Sequence, residues 1–277
     1  MILAVASGKG GTGKTTVSAN LARALQKPAL LLDCDVEEPN AHLFLCGSKL
    51  DSAPVHIPVP EVDKNSCDGC NACGSFCEYN AIVSFGKAPL LFSELCHGCG
   101  GCMKVCPRHA ITERDRRIGV VETFQIDDIT LVHGRLDVSV AMAPPLIRAV
   151  KEKIRRDMPV VLDAPPGTSC PVITTLRQVD FTLLVTEPTP FGLHDLTLAV
   201  DMVRKLNTPF AVVINRVGIG DDRVHEYCHA DNISILLEIP DDRRIAEAYS
   251  RGELMVDALP EYRILFKDLY ERICNIL

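Results

Sequence analysis

The stretch Ile2-Leu3-Ala4-Val5-Ala6-Ser7-Gly8-Lys9-Gly10-Gly11-Thr12-Gly13-Lys14-Thr15-Thr16 decides the fold. Ile2 to Ala6 is a short apolar run of the kind a buried parallel strand requires. Gly8 to Thr15 follows at once and fits the spacing G-x-x-x-x-G-K-[ST]. Lys14 to Leu25 then has helical periodicity, with Val17, Leu21 and Leu25 on one face. A glycine-rich loop between a strand and a helix gathers backbone N–H groups at a helix N-terminus, where phosphate is favoured. Lys14 is expected to reach the β- and γ-phosphates, and the Thr15 hydroxyl to ligate Mg²⁺.

Strand-like runs recur downstream at Ala29–Leu32, Val160–Leu162, Phe181–Val185, Ala211–Ile214 and Ile233–Ile239. Gly119–Ile126 and Leu131–Val140 also read as strands, and Ala143-Pro144-Pro145 opens a helix to about Arg156. Strand and helix in alternation indicate a mostly parallel sheet covered by helices on both faces, the α/β class. Residues 51–66 interrupt the pattern with Pro54, Pro58 and Pro60, and read as a linker.

The interruption leads into two copies of one cysteine spacing. The first is Cys67-x-x-Cys70-x-x-Cys73-x-x-x-Cys77; the second is Cys96-x-x-Cys99-x-x-Cys102-x-x-x-Cys106, followed by Pro107. This run resembles bacterial ferredoxins that hold two [4Fe–4S] clusters, in which the fourth cysteine of each run ligates the other cluster. It assigns Cys67, Cys70, Cys73 and Cys106 to one cluster, and Cys96, Cys99, Cys102 and Cys77 to the other. Gly69, Gly98, Gly100 and Gly101 permit the tight backbone that aims amides at the sulfurs. Zinc also uses paired cysteines, but rarely two interlocked runs of four. Glu78 departs from the pattern, which has proline after the fourth cysteine. His97 and His109 read as surface or supporting residues, and Cys34, Cys46, Cys170, Cys228 and Cys274 as packing residues.

Composition narrows the class. The chain has 277 residues and 13 cysteines, too long for a small disulfide scaffold. A formal charge of −7 with no basic run excludes a nucleic-acid footprint. No stretch approaches the roughly 18 apolar residues of a membrane span. Residues 1–6 are too short for a signal peptide, so a reducing cytoplasm is the expected compartment.

The form Gly8-Lys9-Gly10-Gly11-Thr12-Gly13-Lys14-Thr15-Thr16, with its additional Lys9, resembles the MinD-superfamily P-loop ATPases that contain an inserted ferredoxin domain. The nitrogenase iron protein and Mrp-type cluster carriers are more distantly similar. The resemblance implies a P-loop NTPase domain at 1–58 and 115–277, with a bacterial-type two-cluster ferredoxin domain inserted at 59–114.

Asp33-Cys34-Asp35-Val36-Glu37-Glu38-Pro39-Asn40 resembles switch I, which implies that Asp35 orients the attacking water and belongs with Thr15 and Asp163 to the Mg²⁺ site. Val161 to Thr168 resembles switch II, in which Asp163 serves Mg²⁺ and the Gly167 amide senses the γ-phosphate. The loop residues Gly10, Gly11, Thr12, Gly13, Lys14, Thr15 and Thr16 are expected on nucleotide, with Asn215 and Arg216 at the base and Pro240 and Asp241 closing over it. Lys9 is implied to reach nucleotide across an ATP-dependent dimer, either a homodimer or a heterodimer with a paralogue.

The expected cofactors are ATP or ADP, Mg²⁺ and two [4Fe–4S] clusters. The first functional reading is a Mg²⁺-dependent ATPase whose nucleotide state is coupled to electron transfer with a partner metalloprotein. The alternatives are a metallocluster carrier or maturation factor, and a MinD-like positioning ATPase. The last would need a membrane-binding tail. Tyr262–Leu277, with Ile264, Leu265, Phe266, Leu269, Ile273 and Leu277 among mixed charges, reads instead as a helix packed on its own domain.

Overall fold

The structure is a computed structural model describing residues 1–86 and 88–277. In chain order its first half contains β1 (Ile2–Ala6), α1 (Lys14–Ala24), β2 (Ala29–Asp33), β3 (Ser48–Val62), α2 (Ala72–Phe76), β4 (Ile82–Val83), β5 (Leu90–Leu91), α3 (Gly101–Lys104), β6 (Ile111–Ile126) and β7 (Ile129–Leu136). The second half contains α4 (Ala143–Lys151), β8 (Val160–Asp163), α5 (Cys170–Leu176), β9 (Phe181–Thr186), α6 (Pro190–Lys205), β10 (Phe210–Val217), α7 (Arg223–Ala230), β11 (Ile235–Pro240), α8 (Arg243–Ser250), α9 (Met255–Ala258) and α10 (Pro260–Ile276).

The main sheet has the order β11-β10-β9-β1-β8-β2-β7-β6-β3. Every pair from β11 to β7 is parallel, with Leu3 opposite both Val161 and Phe181 and Leu31 opposite Val161 and Leu131. This is the α/β P-loop NTPase fold. The inner strands are apolar on both faces because helices cover both.

The chain divides into two compact units. The first comprises 1–52, 121–135 and 147–277; the second comprises 53–120 and 136–146. Within the first, Leu3, Leu31, Phe181, Leu183 and Val213 pack with Leu21 of α1 and with Phe266, Leu269 and Ile273 of α10. Phe266, Leu269 and Ile273 of the C-terminal helix are spent on this core as expected, whereas Ile264, Leu265 and Leu277, read as part of the same packed helix, are exposed. No helix among the described residues is long and apolar enough to cross a membrane. In the second unit, one apolar cluster joins Cys73, Ile82 and Ile111, ringed by Val62, Leu91, Met103, Cys77, Cys102 and Cys106.

Two sequence expectations are corrected. The proline-bearing stretch read as a linker is mostly strand, since β3 runs to Val62. β3 lies at the edge of the sheet with β6 as its neighbour, and edges are where strand prolines are tolerated. Just past β3, the Asp63 N–H donates to the Ala110 carbonyl at 2.8 Å. The strand expected from Gly119 begins at Ile111 instead, because its first half, Thr112 to Arg117, is charged and largely exposed.

Candidate nucleotide and cysteine sites

The phosphate loop starts where β1 ends. Gly11 and Gly13 take left-handed backbone at φ 80° and 95°. At Gly13 a Cβ would also lie 2.4 Å from Asn215 Nδ2, so only glycine fits. Lys14 and Thr15 then open α1. Asp33 ends β2 and Asp163 ends β8, neighbouring parallel strands that place the two residues in register. Both carboxylates are essentially fully buried.

Asp33 organises the loop after β2. Its carboxylate accepts the N–H groups of Asp35 at 3.1 Å and of Asn40 and Ala41 at 3.0 Å. Asp163 differs: among the described residues neither of its oxygens receives a hydrogen bond of ordinary geometry. Burial raises its pKa to about 7, against the lowering influence of the nearby Thr15 and Ser18 hydroxyls and Lys14 ammonium. Burial likewise raises Asp35 to about 6, opposed by Lys14. Lys14 itself is lowered by burial, against the attraction of Asp163, Asp35 and Asp33. The Thr12 hydroxyl is also buried without a partner. Unmet buried carboxylate oxygens beside a lysine, under a loop of left-handed glycines, fit a divalent cation and a phosphate chain.

Other expected nucleotide residues are engaged within the chain. The Gly167 N–H donates to the Ser7 carbonyl at 3.1 Å. Asn215 Nδ2 donates to the Thr12 carbonyl at 2.9 Å, while its Oδ1 accepts the Arg216 N–H at 3.0 Å. Asn215 keeps one further N–H for a base. Gly10 faces Pro166 of switch II, to which a Cβ would approach within 3.9 Å. The Thr16 carbonyl accepts Asn20 Nδ2 at 2.7 Å. Arg216 pairs with Asp241 at 3.0 Å, and Pro240, which ends β11, is exposed. Lys9 forms an ion pair with Glu187 at 3.7 Å. Sequence reading missed Glu187, because nothing in its local pattern discloses a partner 178 residues away.

In the second unit, Cys67, Cys70, Cys73 and Cys106 line a small cavity of ≈ 10 Å³, and Cys77, Cys96, Cys99 and Cys102 line a separate one of ≈ 420 Å³. The fourth cysteine of each run thus sits with the first three of the other. Electrostatic influence follows the same division: Cys67 and Cys106 act on Cys73, and Cys99 and Cys77 act on Cys96. The Gly98 N–H points to Cys96 Sγ at 3.4 Å and the Ala110 N–H to Cys106 Sγ at 3.3 Å, contacts that stabilise thiolate charge. Burial pushes Cys102 up to about 11, an arrangement expected to favour metal over proton only with such donors and a cationic centre. Among the described residues no three His, Cys, Asp or Glu side chains converge as they would on a single ion. A cubane makes no such demand, since each thiolate binds a different iron. His97 stacks on Tyr79 beside the second quartet, with ring centroids 3.5 Å apart. Of the five cysteines read as packing residues, Cys34 and Cys228 are buried, but Cys46, Cys170 and Cys274 are exposed, which corrects that reading for these three.

Comparison with known proteins supports the nucleotide-binding fold and not the cysteine module. An uncharacterized protein of Methanocaldococcus jannaschii is 33% identical over 258 residues, covering 91% of this chain and 90% of that one. An iron-sulfur cluster carrier protein of Aquifex aeolicus is 27% identical, covering 95% of this chain and 64% of its own length. The septum site-determining protein MinD of Pyrococcus horikoshii, solved with Mg-ADP, shares the fold at a TM-score of 0.60 and 20% identity, covering 98% and 95% of the two chains. The model of the CobQ/CobB/MinD/ParA nucleotide binding domain matches residues 3–255, and the chain belongs to that family.

Proposed function

We propose that this chain is a Mg²⁺-dependent ATPase that carries two resident [4Fe–4S] clusters and couples its nucleotide state to electron transfer with a partner metalloprotein. The observation that carries the reading is the division of eight cysteines into two cavities of four. Four protein thiolates saturate a cubane, which suits a cluster that stays in place while passing one electron at a time. A cargo cluster must expose an iron to the thiols of its acceptor. No other Cys-x-x-Cys occurs in the chain, so the sequence offers no second pair for a cluster bridging a dimer.

On the nucleotide side, Lys14 and the amides of Gly10 to Thr15 would hold phosphate oxygens, a reading supported by the left-handed glycines of the loop and its junction with α1. Thr15 and Asp163 would hold Mg²⁺, which supplies charge neutralisation at the β- and γ-phosphates. Asp35 has its backbone fixed by Asp33 and is raised to about 6, so it can accept a hydrogen bond from the attacking water near neutral pH. Lys9 would contact the partner protomer's nucleotide in an ATP-dependent dimer. Gly167 must give up Ser7 to sense the γ-phosphate, and that exchange would mark the ATP state.

The similarity to iron-sulfur cluster carrier proteins supports a second reading, delivery of clusters to an acceptor. The two differ in one experiment. Protein reconstituted anaerobically is mixed with an apo-ferredoxin as acceptor, and in parallel is reduced and mixed with an oxidised redox protein, each with and without ATP. Electron transfer predicts oxidation of the clusters with retention of iron. Movement of iron and sulfide to the acceptor, accelerated by ATP, would establish delivery instead.

A further inference from the structure

Glu187 lies just past β9, and its side chain is only 11% exposed. One carboxylate oxygen faces Lys9 Nζ at 3.7 Å, and the other faces Arg216 Nη1 at 3.4 Å. Arg216 is itself held by Asp241 at 3.0 Å. The carboxylate is therefore fixed from the base end of the site and presented to the phosphate loop. Lys9 sits on that loop with its side chain 31% exposed.

We propose that Glu187 is a latch that holds Lys9 against its own chain and so opposes nucleotide-dependent dimerisation. This rests on the reading that Lys9 acts across a dimer. A lysine paired in cis must give up that partner before its ammonium reaches a phosphate on the other protomer. Retention lowers the fraction of protomers competent to dimerise, and the apparent affinity falls with that fraction. A merely structural Glu187 would satisfy Lys9 and Arg216 with no effect specific to Lys9.

Dimerisation is followed by light scattering against ATP concentration, with hydrolysis suppressed by Asp35→Ala in every variant. Glu187→Gln keeps the shape of the side chain and removes its charge. It should lower the ATP concentration at half-dimerisation by roughly two- to five-fold, the scale of a partly exposed ion pair. Lys9→Ala should raise it, and adding Glu187→Gln to Lys9→Ala should bring no further change, since nothing remains to release. Thermal midpoints of the variants check folding. If Lys9→Ala impairs dimerisation but Glu187→Gln leaves it unchanged or weakens it, the latch is wrong and the trans-lysine reading stands. An equal gain from Glu187→Gln with and without Lys9 also overturns the latch. If Lys9→Ala dimerises normally, the trans-lysine reading fails and the latch fails with it.

Discussion

The two units hold themselves together by different means. In the first, Leu3, Leu31, Phe181 and Leu183 are fully buried between helices, and burial of each such side chain stabilises by about 1.5–3 kcal/mol. In the second, the apolar cluster around Ile82 and Ile111 is built partly from Cys73, Cys77, Cys102 and Cys106, the proposed cluster ligands. Its helices α2 and α3 have five and four residues, too short to persist alone. A small core that includes its own ligands folds only as far as its metal allows. If the second unit holds the proposed clusters, its cysteine site is a condition of its folding, whereas the phosphate loop belongs to a core that needs no ligand.

Removing the clusters should produce the largest effect. Anaerobic chelation of iron is expected to abolish amide protection across 67–106 in hydrogen exchange, while β1, β8 and β9 stay protected. Loss of protection in β1 to the same degree would dissolve the distinction. Asp35→Ala comes next. Positioned acid–base groups contribute about 10²–10⁴-fold, so phosphate release should fall by that factor while ATP binding and cluster content remain. Turnover at the parent rate would remove Asp35 from the reaction.

Phe181→Ala tests the burial side of the comparison. It empties a fully buried site in β9 and should cost about 3–5 kcal/mol in urea unfolding of the first unit. The iron content should not change if the second unit depends on its metal.

A smaller effect concerns pH. Glu122 accepts from His133 at 2.9 Å and from Lys49, with Arg135 beyond at 3.9 Å and His42 against the His133 ring. Burial opposes its charge, yet the contacts from Lys49 and His133 prevail and hold its pKa at about 2. Its contribution is complete above the ordinary value of 4.5 and is lost as pH falls from there through about 2. Burial lowers His133, against the pull of Glu122, so the unfolded chain takes that proton first. Its share is complete above 6.5 and declines as pH falls below it. Asp163 and Asp35, raised to about 7 and about 6, stabilise the fold as pH falls towards 4, so the test lies below 4.5, where urea midpoints should decline on acidification and Glu122→Gln should flatten that decline. A decline below pH 4.5 equally steep in the parent and in Glu122→Gln would reverse the Glu122 assignment.

Much of the nucleotide site was legible because its residues are local and tied to strand ends. Gly8 to Thr16 is one segment, and Asp33 and Asp163 each close an apolar run. The cysteine runs were legible because ligand spacing is written in the chain. What could not be read depends on residues far apart or on surfaces without an inside. Thr112 to Arg117 alternates no apolar face, so no period of two marked the start of β6. Pro54, Pro58 and Pro60 signal a break unless the strand is known to have an open side. Glu187 and Lys9 meet only because β9 lies beside β1 in the sheet.

The central claim is that the second unit holds two cubanes on crossed cysteine sets, and iron and sulfide analysis of anaerobically prepared protein tests it most directly. The account predicts about eight iron and eight sulfide per chain, falling to about four of each in Cys73→Ser and in Cys102→Ser, since two cubanes carry four apiece. Stoichiometric zinc without sulfide in the unmodified protein would contradict it.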